Sequence, residues 1–202
     1  MAMFREDQKQ DIPPPPTGEI ELVQSASKGE FESFEKLVEI YLDGLWRYAL
    51  RILGNEEDAK DAVQQTLIQA HQSIAGLRQP EKFRSWLFKI NRNKCFDILR
   101  KTGDRSGSEI SLTQEMDAGS LTDLTSHAPL PGEIIERQET RQVIRQGINA
   151  LPSKQRQVAA MRYATDLTFQ EIGEVLGLNE NTVKTLFQRA KAGLRFYLRR
   201  HL

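Results

Sequence analysis

Apolar residues recur three and four positions apart from Glu19 to Lys101, the spacing that keeps one face of an α-helix apolar. Breaks at Lys28-Gly29, Gly54-Asn55 and Gly76 to Pro80 divide this stretch into four predicted helices, over about 19–27, 30–53, 56–75 and 81–101. Asn55 suits an N-cap, and Glu56, Glu57 and Asp58 in the next turn suit the positive end of a helix dipole. From 102 to 132 the pattern lapses into Ser, Thr, Gly, Asp and Pro with scattered Leu, Ile and Met, which reads as a linker. About 30 relaxed residues average roughly 30 Å end to end and can stretch to about 100 Å, so such a linker tethers its two ends without setting their separation. Helical spacing resumes over about 133–150, 153–163, 169–176 and 180–199, broken at Leu151-Pro152 and at Gly177. Strand patterns are absent. The expected fold is therefore all-α: two small four-helix domains, 19–101 and 133–202, joined by a flexible linker at 102–132. Residues 1–18, with the run Pro13-Pro14-Pro15-Pro16, read as a disordered tail.

The last two predicted helices carry the most specific pattern. Thr168-Phe169-Gln170-Glu171 has the form of a capping box, in which the threonine caps the helix and the glutamate reaches back to it. Phe169, Ile172, Val175 and Leu176 make the apolar stripe of a short helix, Gly173 leaves a smooth spot for close approach, and Gly177 permits a left-handed turn. In the helix that follows, Val183, Leu186, Phe187, Ala190, Leu194 and Leu198 share one sector, while Asn181, Lys184, Thr185, Gln188, Arg189 and Arg195 lie on the other side. A short helix, a glycine turn and a long helix with a polar, cationic outer face form the helix-turn-helix pattern, whose second helix enters the major groove. Lys and Arg there can meet guanine or phosphate, Gln and Asn can pair with adenine, and Thr can touch a thymine methyl.

Charge reinforces this reading. The 202 residues carry 28 Lys and Arg against 28 Asp and Glu, yet the balance is uneven along the chain. Residues 133–202 hold 12 basic and 7 acidic residues, and no acid follows Glu180. A second basic cluster comprises Arg84, Lys89, Arg92, Lys94, Arg100 and Lys101, opposed only by Asp97. Two separate cationic patches predict a polyanion touched twice. Trp86, Ile90 and Phe83 sit at core spacing, and Cys95, the sole cysteine, reads as a buried thiol. That single thiol allows no internal disulfide and no paired-thiolate zinc site. His71, His127 and His201 are scattered without metal-ligand spacing, and no Gly-rich phosphate loop occurs, so neither catalysis nor a metal or cofactor is expected. No apolar run reaches bilayer length and the first ten residues do not look like a secretory signal, so the chain is expected in the cytoplasm.

Two motifs together resemble a known family, the bacterial sigma factors of the extracytoplasmic-function (ECF) group. Leu151-Pro152 to Arg156, Leu167-Thr168-Phe169-Gln170-Glu171-Ile172-Gly173, Thr182-Val183-Lys184-Thr185 to Arg189-Ala190-Lys191, and Leu194-Arg195 look like its region 4. The run Gly54-Asn55-Glu56-Glu57-Asp58-Ala59-Lys60-Asp61-Ala62-Val63-Gln64-Gln65-Thr66, together with Phe83-Arg84-Ser85-Trp86-Leu87-Phe88-Lys89-Ile90, Asn93, Asp97 and Arg100, looks like its region 2. The sequence departs from the usual pattern at Gln65, Leu67, Gly173 and Asn181. The resemblance implies a dissociable subunit that binds core RNA polymerase, directs it to promoters and helps melt the −10 element. It assigns Asp58, Asp61, Gln64 and Gln65 to the clamp helices of the largest polymerase subunit, with a further contact at the flap region. It assigns Arg84, Lys89, Arg92, Asn93 and Lys94 to the −10 element. Asn181, Thr182, Lys184, Thr185, Gln188, Arg189 and Lys191 fall to the −35 element. It also implies an anti-sigma partner; with no spare folded domain in the chain, control is expected to come mainly from a separate protein. The alternative is a stand-alone helix-turn-helix regulator, which would normally read two half-sites as a dimer.

Overall fold

The computed structural model describes residues 18–105, 143, 146–148 and 150–201, without the side chains of 102–105. The expected tail up to residue 17, the expected linker from 106 onward, and most of the helix expected over 133–150 lie outside the described residues; residues 102–105, expected to open the linker, instead continue the preceding helix. Those described form helices and turns, with no strand among them. The first group comprises α1 (Glu19–Ser27), α2 (Phe31–Leu53), α3 (Glu56–Ser73) and α4 (Phe83–Arg105); the second comprises α5 (Ser153–Ala164), α6 (Phe169–Leu176) and α7 (Glu180–His201).

Local chemistry explains the boundaries. Gly54 ends α2 in the left-handed region at φ 79°, and Asn55 caps α3 by accepting from the Asp58 amide at 2.8 Å. The third predicted helix stops two residues early. Ile74–Gly76 and Pro80–Lys82 are single 3-10 turns, the second with proline at its start, where a missing amide hydrogen costs nothing.

In the first group α2 packs on α1, α3 and α4. Leu37, Leu45 and Tyr48 of α2, Ala59 and Ala62 of α3, and Phe83, Leu87 and Cys95 of α4 are all almost completely buried. A polar node locks the three helices: the buried Asn91 side chain donates to the Leu45 carbonyl at 3.0 Å and accepts from Thr66 Oγ1 at 3.2 Å. In the second group Val158 and Met161 of α5, Ile172 and Val175 of α6, and Val183, Phe187 and Leu194 of α7 enclose a second apolar centre.

The two groups touch. α4 packs on α6 and α2 on α5, so buried apolar residues of both groups, Val158, Met161, Ile172, Val175, Val183 and Phe187 among them, join one continuous cluster. The linker left this arrangement open, because hydropathy patterning reports which face of a helix is buried and not what lies against it.

Candidate nucleic-acid interface

The helix-turn-helix is built as its sequence predicts. Thr168 Oγ1 accepts from the Glu171 amide at 3.1 Å while Glu171 Oε2 accepts from the Thr168 amide at 2.7 Å, so both halves of the capping box are closed. Gly177 ends α6 at φ 67°, and the Leu178 amide donates to the Gly173 carbonyl at 2.8 Å. A Cβ on Gly173 would lie 2.5 Å from the Leu178 carbonyl oxygen, which is why the turn needs glycine there. Asn179 then starts α7 by accepting from the Thr182 amide at 2.8 Å.

With Val183, Phe187, Ala190 and Leu194 held in the core, α7 presents Asn181, Lys184, Thr185, Gln188 and Arg189 to solvent. Lys184 is paired one turn back with Glu180 at 2.6 Å, an exposed contact that a phosphate or base edge can replace at little cost. Thr182 is half-buried, and Lys191 lies over the Phe187 ring at 5.7 Å, on the flank that faces α5. The structure thus sets five of the seven candidate residues on one exposed stripe and two at its edges.

The basic stretch of α4 divides differently. Lys89 and Asn93, one turn apart, are exposed, and Lys94 is half-buried. Arg84 is 6% exposed, donating to the Asp166 carbonyl at 2.6 Å and standing 3.4 Å from Glu171 Oε1. Arg92 donates to Gln157 Oε1 at 3.3 Å, and its guanidinium stacks 4.5 Å above the Phe96 ring. Two of the five candidate −10 residues, Arg84 and Arg92, are therefore turned toward the second helical group. Trp86 is half-buried against the Phe83 ring and borders a shallow groove with Lys82, Ser85 and Lys89. Cys95 is fully buried, and burial pushes its thiol up to about 12.

On α3, Asp61, Gln64 and Gln65 are exposed together. Asp58 is half-buried and its carboxylate accepts from Asn55 Nδ2 at 2.6 Å, so it belongs to the helix cap. Beside Gln64 runs an open groove between α2 and α3, lined by Leu42, Asp43, Trp46, Val63 and Leu67. Leu42 is 44% exposed and Ile68 51%, an apolar margin that the spacing of charges did not single out.

Sequence reasoning passed over Lys82, Ser85, Gln157 and Glu174. Glu174 accepts from Lys82 and, at 2.6 Å, from Ser85 Oγ. Their one visible signal is that Glu171 and Glu174, three apart, place two acids on one face of a short helix in an otherwise basic region.

The comparisons with known proteins agree with both halves of this geometry. Residues 37–105 match Sigma-70 region 2, and residues 141–194 match Sigma-70 region 4. The ECF RNA polymerase sigma factor SigW of Bacillus subtilis is 30% identical over 88% of this chain and 95% of its own length. The chain belongs to the ECF sigma factor family. SigE of Mycolicibacterium smegmatis, another ECF sigma factor, is 29% identical over 92% of this chain and 69% of its own length. Among solved structures, CnrH in complex with the cytosolic domain of CnrY shares the fold with a TM-score of 0.67, covering 92% of this chain and 99% of CnrH at 23% identity. The sigma factor RpoE of Bartonella quintana, solved with the anti-sigma factor NepR, does so at 0.61 and 22% identity, covering 83% and 98%. As an ECF sigma factor the protein is a promoter-directing initiation factor that acts with RNA polymerase, and not an enzyme. The region 2 match leaves the stand-alone regulator without support. No helix among the described residues is long and apolar enough to cross a membrane.

Proposed function

We propose that this sigma factor divides its work among three surfaces. The exposed α7 stripe of Asn181, Lys184, Thr185, Gln188 and Arg189 reads duplex DNA at the −35 element, with Thr182 and Lys191 at its margins. Lys89, Asn93 and Lys94 grip and read the −10 strand, joined by Arg84 and Arg92 when the second helical group moves away from α4. Asp61, Gln64 and Gln65, held in register by the Asn55–Asp58 cap, dock on the clamp helices of polymerase, and the second group meets the flap. The protein works in the cytoplasm and is held in check by an anti-sigma factor.

The observation that carries this reading is the α7 stripe: five side chains suited to base edges and phosphates, exposed on a helix whose start is set by the Gly177 turn and the Asn179 cap. Physically, melting requires phosphate anchors beside groups that can bind an unstacked base, which α4 offers in Lys89 and Asn93. The test is co-purification with core polymerase followed by run-off transcription from a promoter library. Lys184→Ala or Arg189→Ala is expected to relax upstream specificity by about 1–3 kcal/mol at one position. Failure to bind core polymerase, or tight dimeric binding to duplex DNA by the free chain, would refute it.

A further inference from the structure

The contact between α4 and α6 has an unusual composition for an interface between two nucleic-acid-binding units. Glu171 and Glu174 of α6 both face the basic side of the first group, Glu171 toward Arg84 and Glu174 toward Lys82 and Ser85. Lys82 ends the second 3-10 turn and Ser85 lies in the first turn of α4; Ser85 Oγ also reaches the Lys82 carbonyl at 3.1 Å, which holds the two donors side by side. Each donates to a different oxygen of the same carboxylate, Lys82 to Oε1 and Ser85 to Oε2. Burial pushes the Glu174 carboxyl up, but these hydrogen bonds prevail and hold it below its usual range, so it stays ionised.

Around this pair the groove is lined by Arg78, Gln79, Trp86 and Lys89. Arg78 and Lys89 add two cations where Glu174 supplies one negative charge, so the groove stays electropositive with the carboxylate in place. A half-buried indole lies on the same rim. An anion with two acceptor oxygens and one charge, next to an aromatic face and further cations, describes a nucleotide: a phosphodiester has the same charge and the same pair of oxygens as a carboxylate.

We propose that Lys82 and Ser85 form a phosphodiester site of the first group, and that Glu174 occupies it as an internal stand-in for a backbone phosphate. The closed chain thereby competes with the promoter strand for its own −10 surface. The proposal rests on the sigma factor reading above and adds to it a binding site and a self-imposed restraint. The closed arrangement withholds Arg84 as well, since its guanidinium is spent on Asp166 and Glu171. A tethered carboxylate acts at an effective concentration on the order of millimolar, so one phosphate contact from a free strand does not displace it, whereas polymerase binding that separates the groups frees the whole surface. This restraint adds to the control expected mainly from a separate protein.

The experiment measures binding of a single-stranded −10 oligonucleotide to the full-length chain over a range of salt concentrations. Glu174→Gln keeps the shape and removes the charge; it is expected to tighten binding about threefold, the scale of one half-exposed ion pair. It should also steepen the dependence of log K on log salt by about 0.7, one more phosphate contact on a single strand. Glu171→Gln combined with Glu174→Gln retains the capping box and is expected to reach about tenfold. Lys82→Ala in the Glu174→Gln background should abolish both gains, and Glu35→Gln, at an exposed acid that does not line the groove, should produce neither. The proposal is overturned if Glu174→Gln binds no tighter than Glu35→Gln, or if Lys82→Ala leaves the gain intact. Run-off transcription by the same proteins with core polymerase separates the two conclusions: intact transcription without the gain sinks the phosphate site alone, and absent transcription from the wild-type chain sinks the sigma factor reading.

Discussion

Asn91 and Asn93 stand two positions apart on α4, and their environments predict opposite consequences for the same substitution. Asn91 is completely buried and ties α4 to α2 and α3 through the Leu45 carbonyl and Thr66 Oγ1; Asn93 is exposed. Asn91→Ala removes two buried hydrogen bonds, each contributing about 0.5–1.5 kcal/mol net. Thr66 Oγ1 keeps its bond to the Ala62 carbonyl at 2.7 Å, so its hydroxyl is not orphaned and the full penalty of an unsatisfied group does not apply. Adding roughly 1 kcal/mol for the small void left by the carboxamide gives about 2–4 kcal/mol of lost stability. For a chain of this length that lowers the melting temperature by roughly 5–15 °C. Asn93→Ala, on an exposed face, should fall within about 0.5 kcal/mol of wild type. Urea unfolding followed by circular dichroism measures both stabilities, and abortive transcription reads the altered base preference at one −10 position that Asn93→Ala is expected to produce. The reasoning is refuted if Asn93→Ala costs more than about 1 kcal/mol without changing base preference, or if Asn91→Ala unfolds at the wild-type midpoint.

Three further outcomes follow from individual sites. Gly173→Ala should destabilise the chain by about 1–3 kcal/mol, because its new methyl meets the Leu178 carbonyl oxygen at 2.5 Å and backbone cannot swing aside as a side chain would; thermal unfolding reads this directly. Cys95, with its thiol pushed up to about 12, should resist alkylation by iodoacetamide at pH 8 in the folded chain and react promptly in urea; rapid labelling of the native protein would contradict its burial. Burial holds the Glu19 carboxyl above its ordinary 4.5, even though the Tyr41 hydroxyl donates to it at 2.7 Å and Arg84 draws it down. A carboxyl raised in the folded state stabilises the fold fully below its unfolded value and loses that contribution as pH rises through the folded value. Glu19→Gln keeps an acceptor for Tyr41, so it should equal wild type near pH 4 and exceed it at pH 7; the opposite trend in urea midpoints would show that the charge is stabilised there.

What could be foreseen from the amino-acid order, and what could not, divides by the distance over which the responsible forces act. The capping box at Thr168–Glu171, the turn at Gly177 and the N-cap at Asn55 involve groups one helical turn apart, so residue type and spacing are enough to find them. The α7 stripe was legible for a related reason: once Val183, Phe187 and Leu194 are buried, helix geometry forces Lys184, Gln188 and Arg189 outward. Arg84 and Arg92 are different. Their charge, spacing and neighbours in the chain are those of phosphate ligands, and nothing local distinguishes a guanidinium waiting for DNA from one held by Asp166 or Gln157, which lie 82 and 65 positions away. The same ambiguity hid Glu174, since an acid on a short helix looks like ordinary solvated surface until Lys82 and Ser85 arrive from a segment about 90 positions earlier. The ambiguity is chemical before it is informational. A surface selected to hold phosphate also holds carboxylate, so a sequence that predicts an anion site well cannot say which anion fills it, and a protein with two such surfaces on one chain can use the acids of one unit to cover the cations of the other.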